Sequence, residues 1–412
     1  MDRPVIYRAQ ILVPVSIPPI ENGAVLVENG TVSLVATYPE VKAQAPAGTR
    51  VVDIDEGVII PALVNCHSHL SLSWMEGKIP PGLGFASWLK RLMELIHFEG
   101  ASMTKSMAKS HVKRGIELSK RAGVALVGDV TNSPYFLDTD INLNNDTPLI
   151  HLFWEIIHPL ATPLDISQLM SVHKGDLPSK WSFSPHSLYT CSRQALWAIK
   201  DFCKRHSLPF SIHLAESPEE IEFVKSGTGP IAEILRQRQR DIEEFFTPSD
   251  SPVECLREEG LLDSKTICVH CTLLDDNDMD IIRCSGAWVC LCPESNLYIS
   301  GLMPRADRIF HDIERVCFGT DSLASSTNLS ILSQLRVVSE AFPSIEPAIL
   351  FKAATLGGAT ALGCEKLVGS ISRGVAARML AIRDAGCGVG EVFEFLCSQA
   401  VEERIEAIGL QQ

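Results

Sequence analysis

The sequence predicts an α/β protein: a (β/α)8 TIM barrel with a small β-sandwich-like domain formed by its N- and C-terminal segments. Three observations predict it. Short β segments broken by turns fill residues 1–57; from Val58 onward, apolar runs of about five to eight residues alternate with longer amphipathic stretches; and eight such runs fit between 58 and 364. Strand-like runs alternating with helical stretches signal βα units and a parallel sheet. Runs that are apolar throughout fit a sheet covered on both faces.

In chain order, the small β domain (1–57) contains segments such as Gly23 to Gly30, where an apolar run meets the Asn29-Gly30 turn. The barrel (58–364) has runs at Val58 to Asn65, Val124 to Val130, Leu149 to Ile157 and Trp181 to Pro185. It continues with Pro209 to Ile212, Thr266 to Val269, Ala287 to Leu291 and Arg315 to Gly319. The span exceeds the ~250 residues typical of such barrels. The surplus lies mainly between the fifth and sixth runs, where the polar stretch Gln237 to Ser251 reads as a surface insertion. Residues 365–412 return to the small domain through Leu367 to Ile382. They end in a helix, because Val392, Phe393, Phe395, Leu396 and Val401 recur with helical spacing within Glu391 to Ile408.

Composition narrows the functions. With 36 basic against 50 acidic residues, the net charge of −14 opposes a phosphate-tracking surface, so no nucleic-acid partner is expected. No apolar run approaches the ~20 residues that span a bilayer, and Met1-Asp2-Arg3-Pro4 does not open a signal peptide. The expected location is therefore the cytoplasm, with no membrane partner. Thirteen scattered cysteines, an odd number and several inside apolar runs, read as reduced thiols. Neither a dinucleotide glycine fingerprint nor a phosphate loop is present, which leaves ATP and NAD chemistry without support.

Catalytic groups of a TIM barrel come from the carboxyl ends of its strands, so the residues just beyond each run are informative. After the first stands His67-Ser68-His69; after the fourth, His186; after the fifth, His213-Leu214-Ala215-Glu216; after the sixth, His270; after the eighth, Asp321. His67 and His69, two apart in an extended segment, point the same way and can bind one ion. A third histidine and an aspartate at other strand ends complete a set of three imidazoles and one carboxylate, which suits one divalent ion, zinc first and iron second. Glu216, where the chain leaves the fifth strand, can curl over such an ion and shuttle a proton; otherwise it is a solvated residue at the start of the helix Pro218 to Lys225. His270 and Asp321 can take up a proton from water. Their structural alternatives are a buried histidine and, for Asp321 or Ser322, a helix cap. Asp129, at another strand end, has no evident partner and reads as structural. Cys268-Val269-His270-Cys271 spaces two thiols as a zinc knuckle would, but on a strand the sulfurs face opposite sides and no second pair exists.

The ordered set Pro61 to His69, His213 to Glu216, Val269-His270-Cys271, Cys292 to Asn296 and Gly319 to Ser322 resembles the amidohydrolase superfamily. It is similar to the branch holding S-adenosylhomocysteine, methylthioadenosine and aminofutalosine deaminases, guanine deaminase and triazine hydrolases. The resemblance runs from about residue 50 to 375. It implies a single metal held by His67, His69, His213 and Asp321, with Glu216, His270 and Asp321 in catalysis. Ser184 to Thr190 is similar to the segment whose histidine contacts the purine, which makes His186 a substrate-binding candidate. Gly82 to Trp88 resembles an aromatic lid, which adds Trp88. Two features depart from the pattern. Ser87 stands where relatives carry an acidic residue for ribose hydroxyls, so no sugar contact carries over. Gly374 to Arg378 replaces the usual closing strand motif, which implies a reduced small domain.

The implied function is hydrolytic deamination of an aminopurine-type small molecule, with release of ammonia; the oligomeric state is not readable from the residues, and the similar family, in which dimers are common, leaves a homodimer open. The alternatives are hydrolysis of another C–N or C–Cl bond in a triazine, guanine or cyclic amide, and a catalytically silent barrel used for binding.

Overall fold

The computed structural model describes residues 3–132, 147–159, 164–166, 169, 180–238, 248–401 and 404–409. Two β-sheets form the small domain. One orders Thr31–Thr37, Gly23–Glu28, Val5–Arg8 and Arg50–Asp53; the other orders Ile405–Ile408, Met379–Ile382, Val58–Pro61, Ile11–Leu12 and Ile20–Glu21. Val5, Tyr7, Val25 and Val27 of the first sheet pack against Leu12, Ile59, Met379 and Ala381 of the second, the face-to-face burial of a β-sandwich. Asn29 and Gly30 both take positive φ, 50° and 71°, at the hairpin that joins Gly23–Glu28 to Thr31–Thr37, as a two-residue turn requires. The N-terminal region is not purely β, because a helix covers Tyr38–Gln44.

The first apolar run of the sequence divides. Val58–Pro61 pairs with Met379–Ile382 and Ile11–Leu12 in the small domain, and the barrel begins at Leu63–Ser68. The boundary expected between 57 and 58 therefore comes several residues too early. Pro61 marks the break, since proline contributes no N–H to a ladder.

Eight parallel strands form the barrel as two four-stranded halves. Leu63–Ser68, Val124–Thr131, Leu149–Ile156 and Trp181–Pro185 make one; Phe210–Leu214, Thr266–His270, Trp288–Leu291 and Val316–Phe318 make the other. Backbone hydrogen bonds join the halves at both seams: His213 N–H donates to His186 O at 3.1 Å, and the N–H groups of Thr320 and Asp321 donate to His67 O at 3.0 and 3.1 Å. Asn65, buried beneath the second seam, accepts from Thr320 N–H through Oδ1 and donates to Thr320 Oγ1 at 2.7 Å. Every residue of Leu63–Ser68 and Val124–Thr131 is buried, which is why these strands read as unbroken apolar runs.

The C-terminal stretch departs from the expected single helix. Only Val392–Leu396 is α-helical, and the chain then closes the second small-domain sheet with Ile405–Ile408. Of the insertion expected at Gln237 to Ser251, residues 239–247 lie outside the described residues. All thirteen cysteines are free thiols and eleven are buried, as expected of small apolar groups. No described helix is long and apolar enough to cross a membrane.

Candidate functional site

The barrel seams set the site, because they bring the carboxyl ends of strands one, four, five, six and eight around one mouth. His67, His213, His270 and Asp321 each offer a ligand atom, and these atoms all lie within 4.8 Å of one another. His69 stands beside them. Its Nε2 is 3.5 Å from Asp321 Oδ1, and its ring lies 5.6 Å from that of His213, nearly parallel. The tightest foursome thus contains His270 where the expected ligand set has His69; both imidazoles face the same space.

Neighbouring groups orient most of these side chains. His213 Nδ1 lies 2.8 Å from His186 O; a carbonyl only accepts, so Nδ1 carries the proton and Nε2 keeps its lone pair. Asp321 Oδ2 accepts from Ser295 Oγ at 2.8 Å and Ser325 Oγ at 2.5 Å, leaving Oδ1 toward His67 and His69. Asn296 donates its amide N–H to His270 Nδ1 at 3.2 Å, which leaves the proton on Nε2, 3.6 Å from Glu216 Oε1. His186 Nδ1 is held by the hydroxyls of Ser187 and Thr190 at 3.1 and 3.0 Å. His67 is the exception. It is 0% exposed, and neither ring nitrogen has a hydrogen-bond partner. Buried polar atoms are rarely left so.

The backbone bends sharply at these places. Ala215, His270, Cys271 and Asp321 adopt φ of 50°, 74°, 49° and 58°, left-handed values that cost non-glycine residues of order 1–3 kcal/mol each and concentrate at functional sites. The turns carry the side chains out of the strand and over the mouth. Asp321 and Ser322 do not cap the next helix; that helix, Ile331–Ala341, is capped by Ser330.

Burial dominates the electrostatics. It pushes His67 well below its ordinary pKa, His69 to about 4 and His270 to about 3, and it lowers His213, so all four stay neutral; His67, His69 and His213 keep a lone pair to give, while that of His270 is engaged by Asn296. Burial would raise Asp321, but the contact with His67 and the imidazoles around it hold its carboxyl well below the usual range. Glu216 is raised well above the usual carboxyl value, by burial first and then by the charges of Asp321, Glu220 and Glu219. Three imidazole nitrogens, one of them on the unpartnered buried His67, and a carboxylate oxygen fit a divalent cation.

The mouth has a volume of about 480 Å³. Its outer wall comes from helices Phe85–Phe98 and Gly229–Gln237, through Phe85, Trp88, Leu92, Ile231 and Leu235. Trp88 donates its indole N–H to Ala324 O at 3.0 Å, which leaves its ring as wall. The loop before that helix is tied down by hydrogen bonds from Gly82 and Gly84 N–H to Tyr298 O and Ile299 O. A larger depression, about 1080 Å³, opens at the opposite end of the barrel and contains none of the clustered residues.

Two acidic residues outside the expected site set stand at or beside the mouth. Glu155, in the third strand, lines the mouth; it is 9% exposed, and Oε2 accepts from Asn132 Nδ2 at 2.9 Å. Its signal was a carboxylate inside an apolar run. Glu220 accepts from Glu216 N–H at 2.8 Å and fixes the turn that presents Glu216. Asp129 has a partner after all, accepting from Leu70 N–H at 2.7 Å.

The sequence model of the Amidohydrolase family matches residues 58–386. The 5'-deoxyadenosine deaminase of Methanothrix thermoacetophila is 26% identical over 77% of this chain and 70% of its own. The aminodeoxyfutalosine deaminase of Deinococcus radiodurans is 25% identical over 83% of this chain and 81% of its own. Among solved structures, an adenosine deaminase from Xanthomonas campestris with bound zinc superposes with a TM-score of 0.76 at 21% identity, covering 97% of this chain and 90% of that one.

Proposed function

This chain belongs to the amidohydrolase family, and from that premise we propose that it deaminates an aminopurine nucleoside by metal-dependent hydrolysis, releasing ammonia. One observation carries the reading: a fully buried histidine with two unpartnered nitrogens stands among neutral imidazoles and a carboxylate at the mouth of a barrel. The relatives' names, deaminases of 5'-deoxyadenosine and aminodeoxyfutalosine, support the substrate class.

His67, His69, His213 and Asp321 would hold the ion, zinc first by its preference for nitrogen with one oxygen, and iron second. A divalent cation there supplies Lewis acidity, which brings the pKa of water from 15.7 to roughly 7. Burial, with the charges of Asp321, Glu220 and Glu219, pushes the Glu216 carboxyl well above its usual value, which favours the protonated form a proton donor needs. Glu216 delivers that proton to the purine ring nitrogen beside the carbon that bears the amine, so the ring can accept the attacking electron pair. His270, with its proton on Nε2 facing Glu216, orients the attacking water; Asp321 takes the water's proton and passes it to the departing amine, the C–N bond breaks as ammonia leaves, and the remaining hydroxyl proton returns to Glu216. His186 turns its Nε2 to a second ring nitrogen, and Trp88 gives the base an aromatic wall.

Ammonia release from adenine nucleosides and guanine by metal-loaded protein tests the reading. No release from any of them removes the deaminase function. Chloride from a chlorotriazine, or opening of a cyclic amide, would assign the same groups to another bond. A silent binding barrel is excluded if His67→Ala loses the bound metal and the activity together.

A further inference from the structure

Glu155 is a buried carboxylate in the mouth for which the deamination chemistry has no use. It lies in the strand Leu149–Ile156, where His151, Phe153 and Glu155 share one face by the period of two. His151 lines the depression at the far end of the barrel and Glu155 lines the mouth, so this face looks along the barrel interior. Asn132 ties up Oε2, and no described residue donates to Oε1. No lysine or arginine pairs with it among the described residues. Leaving a carboxylate buried without a cation is costly unless donors arrive from elsewhere.

Glu155, Glu216 and Asp321 put three carboxyl groups into the mouth, and its only lysine or arginine among the described lining residues is Arg238, exposed at the rim. The opposite wall is apolar, from Phe85 and Leu92 to Ile231 and Leu235. Beside Glu155 such a wall accepts hydrogen-bond donors and apolar groups, and among the described residues it offers a tail carboxylate no buried cationic partner.

Resting on the deaminase reading above, we propose that Glu155 is the specificity-determining residue of the mouth. It accepts hydrogen bonds from N–H or O–H donors on the substrate, and it selects neutral or cationic nucleosides with a short apolar or hydroxyl-bearing tail against nucleosides whose tail carries a carboxylate. Ser87 leaves the lid helix without an acidic group near Trp88, so the acceptor in this chain comes from the third strand.

Three probes with the same adenine and ribose separate the outcomes: 5'-deoxyadenosine, adenosine and adenosine 5'-carboxylate. Metal-loaded protein is assayed for ammonia release, and the matching nucleosides without the 6-amino group are titrated by calorimetry, so binding is read without turnover. Wild type should favour the neutral probes over the carboxylate at least tenfold, in kcat/KM and in Kd. Glu155→Gln, nearly isosteric, should narrow that preference about tenfold by improving the carboxylate probe, a gain that mere structural damage does not produce. Glu155→Arg should reverse the preference. Deamination with a tail preference unaffected by residue 155, or a wild type that prefers the carboxylate, overturns the inference and leaves the deaminase reading standing. Calorimetric discrimination that tracks residue 155, with no ammonia from any probe, removes the deaminase reading and keeps the role of Glu155.

Discussion

Replacing Gly319 by alanine tests whether barrel closure, rather than the ligands alone, sets the metal site. Gly319 lies between the eighth strand and Asp321, and its φ is not in the left-handed region, so alanine adds a methyl group without backbone strain. That methyl would sit 2.7 Å from His67 Cβ, 2.9 Å from His67 O and 3.0 Å from Cys292 Sγ. Carbon atoms pack at about 3.5–4.0 Å, so the first contact alone demands a displacement of roughly 0.8 Å. Both sides of the clash carry proposed ligands, His67 on one strand and Asp321 just past the other, and metal sites tolerate about 0.2 Å. Overpacking of this kind costs about 1–3 kcal/mol of stability, and metal affinity should fall at least tenfold. The measurements are metal affinity by competition with a chelator and melting temperatures of the metal-free and metal-loaded forms. A Gly319→Ala protein that binds metal within twofold of wild type would refute the claim that this seam positions His67.

The same contacts predict three further outcomes. Glu216→Gln should retain one metal per chain while kcat for ammonia release falls by about 10²–10⁴, the usual contribution of a positioned acid; metal content and initial rates decide it. Ser325→Ala removes the 2.5 Å hydrogen bond to Asp321 Oδ2 and should weaken metal binding by about 10–100-fold, measured by competition, while the melting temperature of the metal-free protein changes little. Burial, helped by the charge of Glu155, pushes Asp129 from 3.8 up to about 8. Its folded-state pKa is thus above its unfolded one, so its stabilising contribution is whole below pH 3.8 and is lost as pH rises through 8, at up to about 1.36 kcal/mol per pH unit. Melting curves of metal-free Asp129→Asn should fall less steeply than those of wild type between pH 4 and 8, and parallel curves would rule this account out.

Most of the mouth was legible in the sequence because of topology. A parallel barrel aligns the carboxyl ends of its strands, so His67, His69, His186, His213, His270 and Asp321 stood out as polar residues directly after apolar runs. Glu155 did not, because it lies inside the run Leu149 to Ile157, where period-two alternation was overridden by residues buried on both faces. Val58 to Asn65 read as one strand because both halves are fully buried, one against the second sheet of the sandwich and one in the barrel wall; only Pro61 betrayed the division. The last segment failed for a different reason. Helical spacing over Val392 to Leu396 covers little more than one turn, and two of its residues, Val392 and Leu396, suffice to bury it. Beyond it, Ile405–Ile408 gains more by pairing with Met379–Ile382 than by extending a helix.

The distribution of hydrogen bonds separates this site from an ordinary buried polar cluster. His213 is oriented by a carbonyl, Asp321 by two hydroxyls, His270 by an amide and His186 by Ser187 and Thr190. Each partner consumes one polar atom and turns the other inward. A cluster serving stability alone would satisfy the inward atoms on one another, since unsatisfied buried groups cost of order 1–3 kcal/mol each. Here His67 keeps both nitrogens without a hydrogen bond at zero exposure, while Glu155, 9% exposed, opens Oε1 onto the mouth with no donor among the described residues. The two lie at different places, His67 beneath the mouth and Glu155 in its wall, and ask for different chemistry: the one lone pair of neutral His67 calls for a cation, and the acceptor at Glu155 calls for a hydrogen-bond donor. An occupant in two parts, a metal ion and a donor-bearing small molecule, satisfies both, whereas neither part alone does.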